Sequence, residues 1–326
     1  MSVKNILVFG VDGDWTVRYV MDWLYYFEAN VFKITSGRTT ALTPYIFMNN
    51  EETETSLLFN GFEISNENIC KIWSHRSSPT KFQNIEKETL NKINKFVSDF
   101  QIQEQSVYMY YFLSRFANTK YTVPPNLLSL NKLEILKLAK KHELIIPPTC
   151  VTKSKTDILR FKKLYGEIII KPMSSCKSIT HKNQSFAIFT TKLSIDLLSK
   201  QNAYLFPCLI QKYIEKQYEI RTFYLEGVCY SMAIFSQQQQ NTSIDWRRKS
   251  TFNTIRNVPY KLPTNIENKI KNLMNDLSLK TGSIDLIYSK ENEYVFLEIN
   301  PVGQFGMVSH LCNYSLYKKF AEFILN

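Results

Sequence analysis

No stretch of this 326-residue chain stays apolar for the roughly 20 residues a helix needs to cross a bilayer, so no membrane span is expected. Near the start, Ile6-Leu-Val-Phe is too short for the apolar region of a secretory signal, and a cytoplasmic protein is expected. The six cysteines are scattered and form no Cys-x-x-Cys, which fits free thiols in a reducing compartment. The four histidines, His75, His142, His181 and His310, lack metal-ligand spacing and read as structural or surface residues. No Ser-His-Asp or Cys-His arrangement supplies a protein nucleophile. Zinc-finger spacing, an aromatic RNA-binding motif and a basic heptad region are all missing.

What remains is an ordinary globular composition, 44% hydrophobic and 21% charged, long enough for two or three domains. The balance is basic: 40 Lys and Arg against 29 Asp and Glu, net +11. The charge is spread over Lys-rich helical stretches such as 132–141 and 261–271, with no basic tail. Nucleic acid, ATP and an acidic peptide are all steered by such a field, and composition does not choose among them.

Asn5-Ile-Leu-Val-Phe-Gly predicts a strand, Asp12-Gly13-Asp14 a turn, and Thr16 to Phe27 an amphipathic helix. The glycine pattern of a dinucleotide site is absent from that turn. Ile69 to Arg76 predicts a second strand, 82–116 a long mixed helical region, and Thr122-Val-Pro-Pro-Asn a linker. The cluster Trp73, His75 and Arg76 suits an acidic peptide, or alternatively holds a structural tryptophan. A capped helix is expected from Ser129, and Glu167-Ile-Ile-Ile-Lys-Pro predicts a buried strand ending in Lys171. Tyr218 to Phe235 predicts a hairpin turning at Glu226-Gly227.

The chemistry concentrates near the C-terminus. Ser283 to Tyr288 and Tyr294 to Asn300 read as two strands joined by a polar turn. Asp285, Glu298 and Asn300 interrupt their apolar pattern, and Glu298 and Asn300, two apart, share a face. The bland alternative is a pair of edge strands with solvated acids. Glu298, however, sits between Leu297 and Ile299 in a run that otherwise reads as core, where an acid needs a partner. Two carboxylates and an amide suit Mg²⁺, which takes few protein oxygens and binds phosphates with the rest. Upstream, Lys171 at a strand end can hold phosphate oxygens, and the small-residue loop after it can close over them. Gln211, Lys212, Tyr213 and Ile214 offer donors and acceptors for an adenine edge, and Glu219 suits ribose hydroxyls.

In this order the elements resemble the ATP-grasp superfamily over nearly the whole chain. The Glu298-Ile-Asn-Pro motif carries the resemblance. Its extension Val-Gly-Gln-Phe-Gly-Met-Val-Ser, with Cys312-Asn-Tyr and Asp245-Trp-Arg, resembles the graspetide (microviridin-type) peptide maturases, nearest to the grasp-with-spasm branch. The resemblance implies an α/β and α+β chain in which two α+β lobes clasp ATP behind an N-terminal α/β domain. The domains would be 1–125, a central lobe 126–208, and a C-terminal lobe 209–326 with the magnesium site.

Residue by residue, the resemblance gives Lys132 and Lys171 to the ATP phosphates, Gln211 and Tyr213 to adenine and Glu219 to ribose. Asp285, Glu298 and Asn300 become magnesium ligands. Arg221, joined by Arg247 or Arg248, faces the reacting phosphoryl group. The loop after Lys171 departs from the glycine-rich pattern, with Ser174, Ser175 and Ser178 in its place. The implied activity is an ATP-dependent carboxylate ligase that links Asp or Glu side chains of a precursor peptide to Thr, Ser or Lys of the same peptide. The implied partners are a precursor with a leader and an acidic core, a radical-SAM SPASM enzyme and a second copy of the chain, with no nucleic acid. Two alternatives stand beside it: a ligase adding a free amino acid to a carboxylate, and a basic nucleic-acid-binding protein with a vestigial nucleotide site.

Overall fold

The computed structural model describes residues 3–35, 42–76, 92–173, 178–181, 184–187, 190–200, 202, 204–238 and 255–326. In chain order the elements are β1 (Asn5–Gly10), α1 (Trp15–Tyr26), β2 (Asn30–Thr35), β3 (Leu42–Met48), β4 (Thr53–Phe59), β5 (Phe62–Glu63), β6 (Lys71–Ser74) and α2 (Lys92–Ser114). Then follow α3 (Lys132–Lys141), β7 (Thr149–Ser154), α4 (Lys155–Tyr165), β8 (Ile168–Lys171), β9 (Ser178–His181), β10 (Gln184–Ala187), β11 (Thr191–Lys192), α5 (Ile195–Ser199) and β12 (Tyr204–Lys212). The remainder is β13 (Lys216–Leu225), β14 (Val228–Phe235), β15 (Arg256–Tyr260), α6 (Thr264–Asp276), β16 (Thr281–Ser289), β17 (Tyr294–Asn300), α7 (Gly306–Cys312) and α8 (Leu316–Leu325). Among the described residues no helix is long and apolar enough to cross a membrane.

Contacts divide the chain into two units, one of Met1–Ser129, Lys280–Gly282 and Pro301–Asn326, the other of Leu130–Leu279 and Ser283–Asn300. The first is built on β1. Its Ile6, Leu7, Val8 and Phe9 are fully buried, the continuous apolar run expected of a parallel strand covered on both faces. β2 and β6 flank it, both parallel. Asp14 starts α1 by accepting hydrogen bonds from the amides of Thr16 and Val17. Gly10 lets that first turn come close, since a Cβ there would stand 3.3 Å from a Val17 methyl. The expected linker is not one: Thr122 and Val123 are buried, and the Thr122 amide donates to the Ile72 carbonyl. The last 26 residues join this unit because α8 is amphipathic. It buries Leu316, Phe320, Phe323 and Ile324 and sets Phe320 edge-on to Trp73. Trp73 is 2% exposed, so it is a core residue and not a peptide-facing one.

His75 shares this environment. Burial pushes its imidazole down to about 4, against the pull of Asp14 3.8 Å away, while Arg76 adds to the depression. A base depressed on folding takes up its proton first in the unfolded chain. Stability is therefore full above pH 6.5 and declines as the pH falls toward 4, by about 3 kcal/mol at most. Urea titrations between pH 7.5 and 4.5 should show this loss, and His75→Gln should flatten it. An equal slope in the variant would assign the acid sensitivity elsewhere.

The second unit holds a four-stranded sheet, β11-β8-β12-β7, and a five-stranded one, β15-β14-β13-β16-β17. Ile158, Ile168, Leu198 and Ile210 form the core under the first. Its strand β12 carries the chain past the division expected at 208–209, staying paired with β8 up to Lys212. α3 begins at Lys132 under the cap of Asn131, two residues beyond the expected cap. β13 and β14 meet in a two-residue turn at Glu226 (φ 46°) and Gly227 (φ 89°), the left-handed pair that matches hairpin twist.

Candidate active site

β16 and β17 pair antiparallel with Asp285 opposite Glu298 and Ser283 opposite Asn300. Residues opposite one another across a ladder share a face, so Asp285, Glu298 and Asn300 rise from the same side of the sheet. A bulge between Asp285 and Leu286 re-aims the strand just beyond Asp285. The two carboxylates are 20% and 23% exposed. Among the described residues no group of three His, Cys, Asp or Glu is placed to hold a metal. This donor set, two carboxylates and one amide, is all oxygen and short of a full shell, which fits Mg²⁺ arriving with phosphates.

Each carboxylate is met by a cation. Arg221 on β13 donates through one Nη1 to both oxygens of Asp285, at 2.8 and 3.1 Å. Lys132, in the first turn of α3, places Nζ 3.3 Å from Glu298 Oε2 and donates to the Pro172 carbonyl at 3.2 Å. Lys171 lies immediately before Pro172, at the end of β8 and opposite Leu209 of β12. Residues 132, 221, 285 and 298 thus converge from α3, β13, β16 and β17, with the main chain just after Lys171 beside Lys132.

The residues assigned to the nucleoside sit further along the same strands. Gln211 is fully buried, and its amide donates to Thr149 Oγ1 at 2.9 Å while its Oε1 has no partner. An orphan acceptor in a dry site fits an exocyclic amine donor. Just beyond β12, the Tyr213 amide donates to the Glu167 carbonyl at 2.8 Å, and Lys192 stands 3.8 Å over its ring. Glu219 on β13 is 12% exposed. Its Oε1 accepts from Lys216 Nζ at 2.5 Å and from Ser236 Oγ at 3.0 Å. Burial raises the Glu219 carboxyl despite these partners, and nearby Asp285 adds to the rise.

Lys192, Lys216, Ser236 and Thr149 were missed from sequence: Lys192, Ser236 and Thr149 meet their partners only through the sheets, while Lys216 lies three residues before Glu219 on β13, a spacing that alternation alone does not single out. Asn257 was missed too. It lies in one cross-strand row with Ile234 and Glu219, and its buried Oδ1 has no partner. Arg247, Arg248, Ser174 and Ser175, and the Asp245-Trp-Arg motif, fall outside the described residues, while Ser178 opens β9.

The sequence model of the prokaryotic glutathione synthetase ATP-grasp domain matches residues 131–273, ending before Asp285. No curated protein sequence matches the chain. Among solved structures, a RiPP-associated ATP-grasp ligase of Chryseobacterium gregarium, in complex with ADP and a leader and core peptide, aligns with a TM-score of 0.84 and 25% identity over 99% of this chain and 97% of its own. The macrocyclase MdnC of Microcystis aeruginosa, bound with precursor peptide MdnA, aligns at 0.80 and 19% identity over 99% of both chains. The ATP-grasp ligase PsnB, complexed with a phosphomimetic variant of a minimal precursor, Mg and ADP, aligns at 0.74 and 15% identity over 98% of this chain and 97% of its own. At those lower identities the last two speak for the fold alone.

Proposed function

From the premise that the chain is an ATP-dependent ligase of the ATP-grasp fold, we propose that it crosslinks a ribosomal precursor peptide through that peptide's own side chains. The observation that carries the proposal is the face shared by Asp285, Glu298 and Arg221, where a carboxylate can be activated on ATP. The full-length likeness to a ligase holding a leader and core peptide supports the substrate class.

Asp285, Glu298 and Asn300 would hold Mg²⁺, whose charge offsets that of the phosphates and withdraws electrons from the bridging oxygens. Gln211 and Tyr213 hold adenine, Glu219 the ribose, and Lys132 and Lys171 the phosphates. A substrate Asp or Glu carboxylate oxygen attacks the γ-phosphorus, the bond to the β–γ bridging oxygen breaks, and ADP leaves behind an acyl phosphate. Arg221, joined by Arg247 or Arg248, stabilises charge on the transferred group. A Thr or Ser hydroxyl, or a Lys amine, of the same peptide then attacks the acyl carbon. Phosphate departs, the nucleophile loses its proton, and an ester or amide remains. Binding both groups on one peptide supplies the proximity a weak hydroxyl nucleophile needs.

In the division of labour we propose, residues 1–125 contribute to the peptide and the two lobes, divided near 208, clasp the nucleotide. The basic surface suits an acidic core peptide. A homodimer, a SPASM-domain partner and a cytoplasmic location complete the reading. They are checked by light scattering, neighbouring genes and fractionation.

Incubation of enzyme, Mg-ATP and the peptide encoded beside it should yield a product lighter by one water per link. Mild alkali should restore that water to esters and leave amides unchanged. A gain in mass matching an added amino acid would favour the free-amine ligase. ATP hydrolysis with unaltered peptide would end the maturase reading.

A further inference from the structure

Gln211 stands on β12, inside the sheet β11-β8-β12-β7, directly opposite Thr149 of β7, so the two side chains share a face. A buried amide offers donors at one end and an acceptor at the other, and here one proton decides which way it lies. The Thr149 hydroxyl donates to the Pro147 carbonyl at 2.7 Å. A carbonyl only accepts, so the single hydroxyl proton is committed and Oγ1 has only lone pairs left for Gln211. Nε2 therefore takes that side, donating to Oγ1 at 2.9 Å. Turned over, the amide would set oxygen against oxygen, or draw the proton from Pro147 and leave its own N–H groups unmet. The Pro147 carbonyl is itself held in place, because the next one, that of Pro148, accepts from the Lys212 amide of β12 at 3.0 Å. Oε1 is thus fixed as the end turned away from Thr149, in a fully buried residue, without a partner.

We propose that Thr149 is a positioning residue that sets base selection: by fixing the amide of Gln211 it makes the site accept a purine with a 6-amine and reject one with a 6-oxo group. This role rests on the assignment of Gln211 to adenine and adds the group that orients it. A 6-amine donates to Oε1 and satisfies the orphan acceptor. A 6-oxo group brings a second acceptor against it, and the amide can answer only by breaking its bond to Thr149. Leaving a buried polar atom unmet costs the desolvation of that atom, so such sites discriminate more strongly than a change in apolar area does. A carboxylate at position 211 would accept whichever way it turned, whereas an amide must be held one way round. In this role Thr149 acts through Gln211 and needs no contact with the nucleotide.

A gain of binding separates this role from a merely structural one. Mg-ATP, Mg-ITP and the magnesium complex of purine riboside triphosphate, which lacks any 6-substituent, are titrated calorimetrically into the full chain. The variants are Thr149→Val, Thr149→Ala, Thr149→Ser, Gln211→Met and Thr149→Val/Gln211→Met. The wild type should bind Mg-ATP at least about ten-fold more tightly than either of the other nucleotides. Thr149→Val and Thr149→Ala free the amide to turn its N–H end to a 6-oxo group. Mg-ITP should then bind about ten-fold more tightly than to the wild type, while Mg-ATP stays within about three-fold. Thr149→Ser keeps the hydroxyl and should keep both wild-type affinities. Gln211→Met should bring Mg-ATP down to the level of the purine riboside nucleotide, and adding Thr149→Val to it should give Mg-ITP no gain.

Mg-ITP affinity that is unchanged or weaker in Thr149→Val and Thr149→Ala, with the advantage of ATP lost in Gln211→Met, overturns the positioning role and leaves Gln211 on adenine. An equal Mg-ITP gain in Thr149→Ser also overturns it, since the hydroxyl would then not be what holds the amide. A wild-type advantage of ATP over the purine riboside nucleotide in Gln211→Met overturns the adenine assignment and the positioning role together. Thermal melts, and the Mg-ATP affinity retained by the Thr149 variants, show that the titrations read folded protein.

Discussion

Asp285→Asn and Glu298→Gln should each lower ATP turnover by a factor on the order of 10³ or more, with the fold retained. Both residues face the same side of a paired hairpin, directly opposite in register, and neither is packed as core. The amide replacements preserve shape and keep an oxygen to accept from Arg221 or Lys132, so the β16–β17 ladder and its flanking Ile284, Leu286 and Phe296 stay in place. What is lost is the charge a divalent ion requires. ADP release at saturating magnesium, measured beside a thermal melt, decides the point. Turnover within a few-fold of wild type in a folded variant would remove these residues from the metal site.

Arg221→Ala and Lys171→Ala should fail in opposite ways. In the proposed mechanism Arg221 meets charge that develops during transfer, so its loss should depress kcat by about 10²–10³ and leave the KM for ATP near its wild-type value. Lys171, at the end of β8, is the residue proposed to hold ground-state phosphates, and its loss should raise the KM for ATP more than it lowers kcat. The partnership with Asp285 adds a qualification from the structure: Arg221→Ala also strips a countercharge from a carboxylate only 20% exposed. On the proposed metal assignment magnesium would supply that charge, so the binding of Mg-ATP should be spared. Steady-state kinetics with varied ATP distinguish the two, and a comparable loss of ATP affinity in both variants would erase the distinction.

Much of this site was legible along single strands. Alternation across Tyr294 to Asn300 fixes which side Glu298 and Asn300 take, because a strand's side-chain period is two. The turn at Glu226-Gly227 was visible because glycine adopts its second left-handed position without strain. The apolar run of β1 announced a strand buried on both sides. The Thr122-Val-Pro-Pro-Asn segment misled, because its prolines signal a stop whether or not the chain around them is packed. Here Thr122 pairs with β6 through Ile72 and disappears into the core.

The sequence by itself determined the strands that carry the acids, the face Glu298 and Asn300 share and a donor chemistry suited to magnesium and phosphate, since these follow from neighbours a few residues apart. Only the tertiary structure decided which elements meet. It set Asp285 against Glu298 through a register containing a bulge. It brought Lys132 to Glu298 across 166 residues and Arg221 to Asp285 across 64. It set Ser236 against Glu219, and it drew α8 back to the N-terminal unit. Local periodicity encodes a direction for each side chain. The partner in that direction is chosen by the packing of distant apolar faces and by the demand that every buried charge be met.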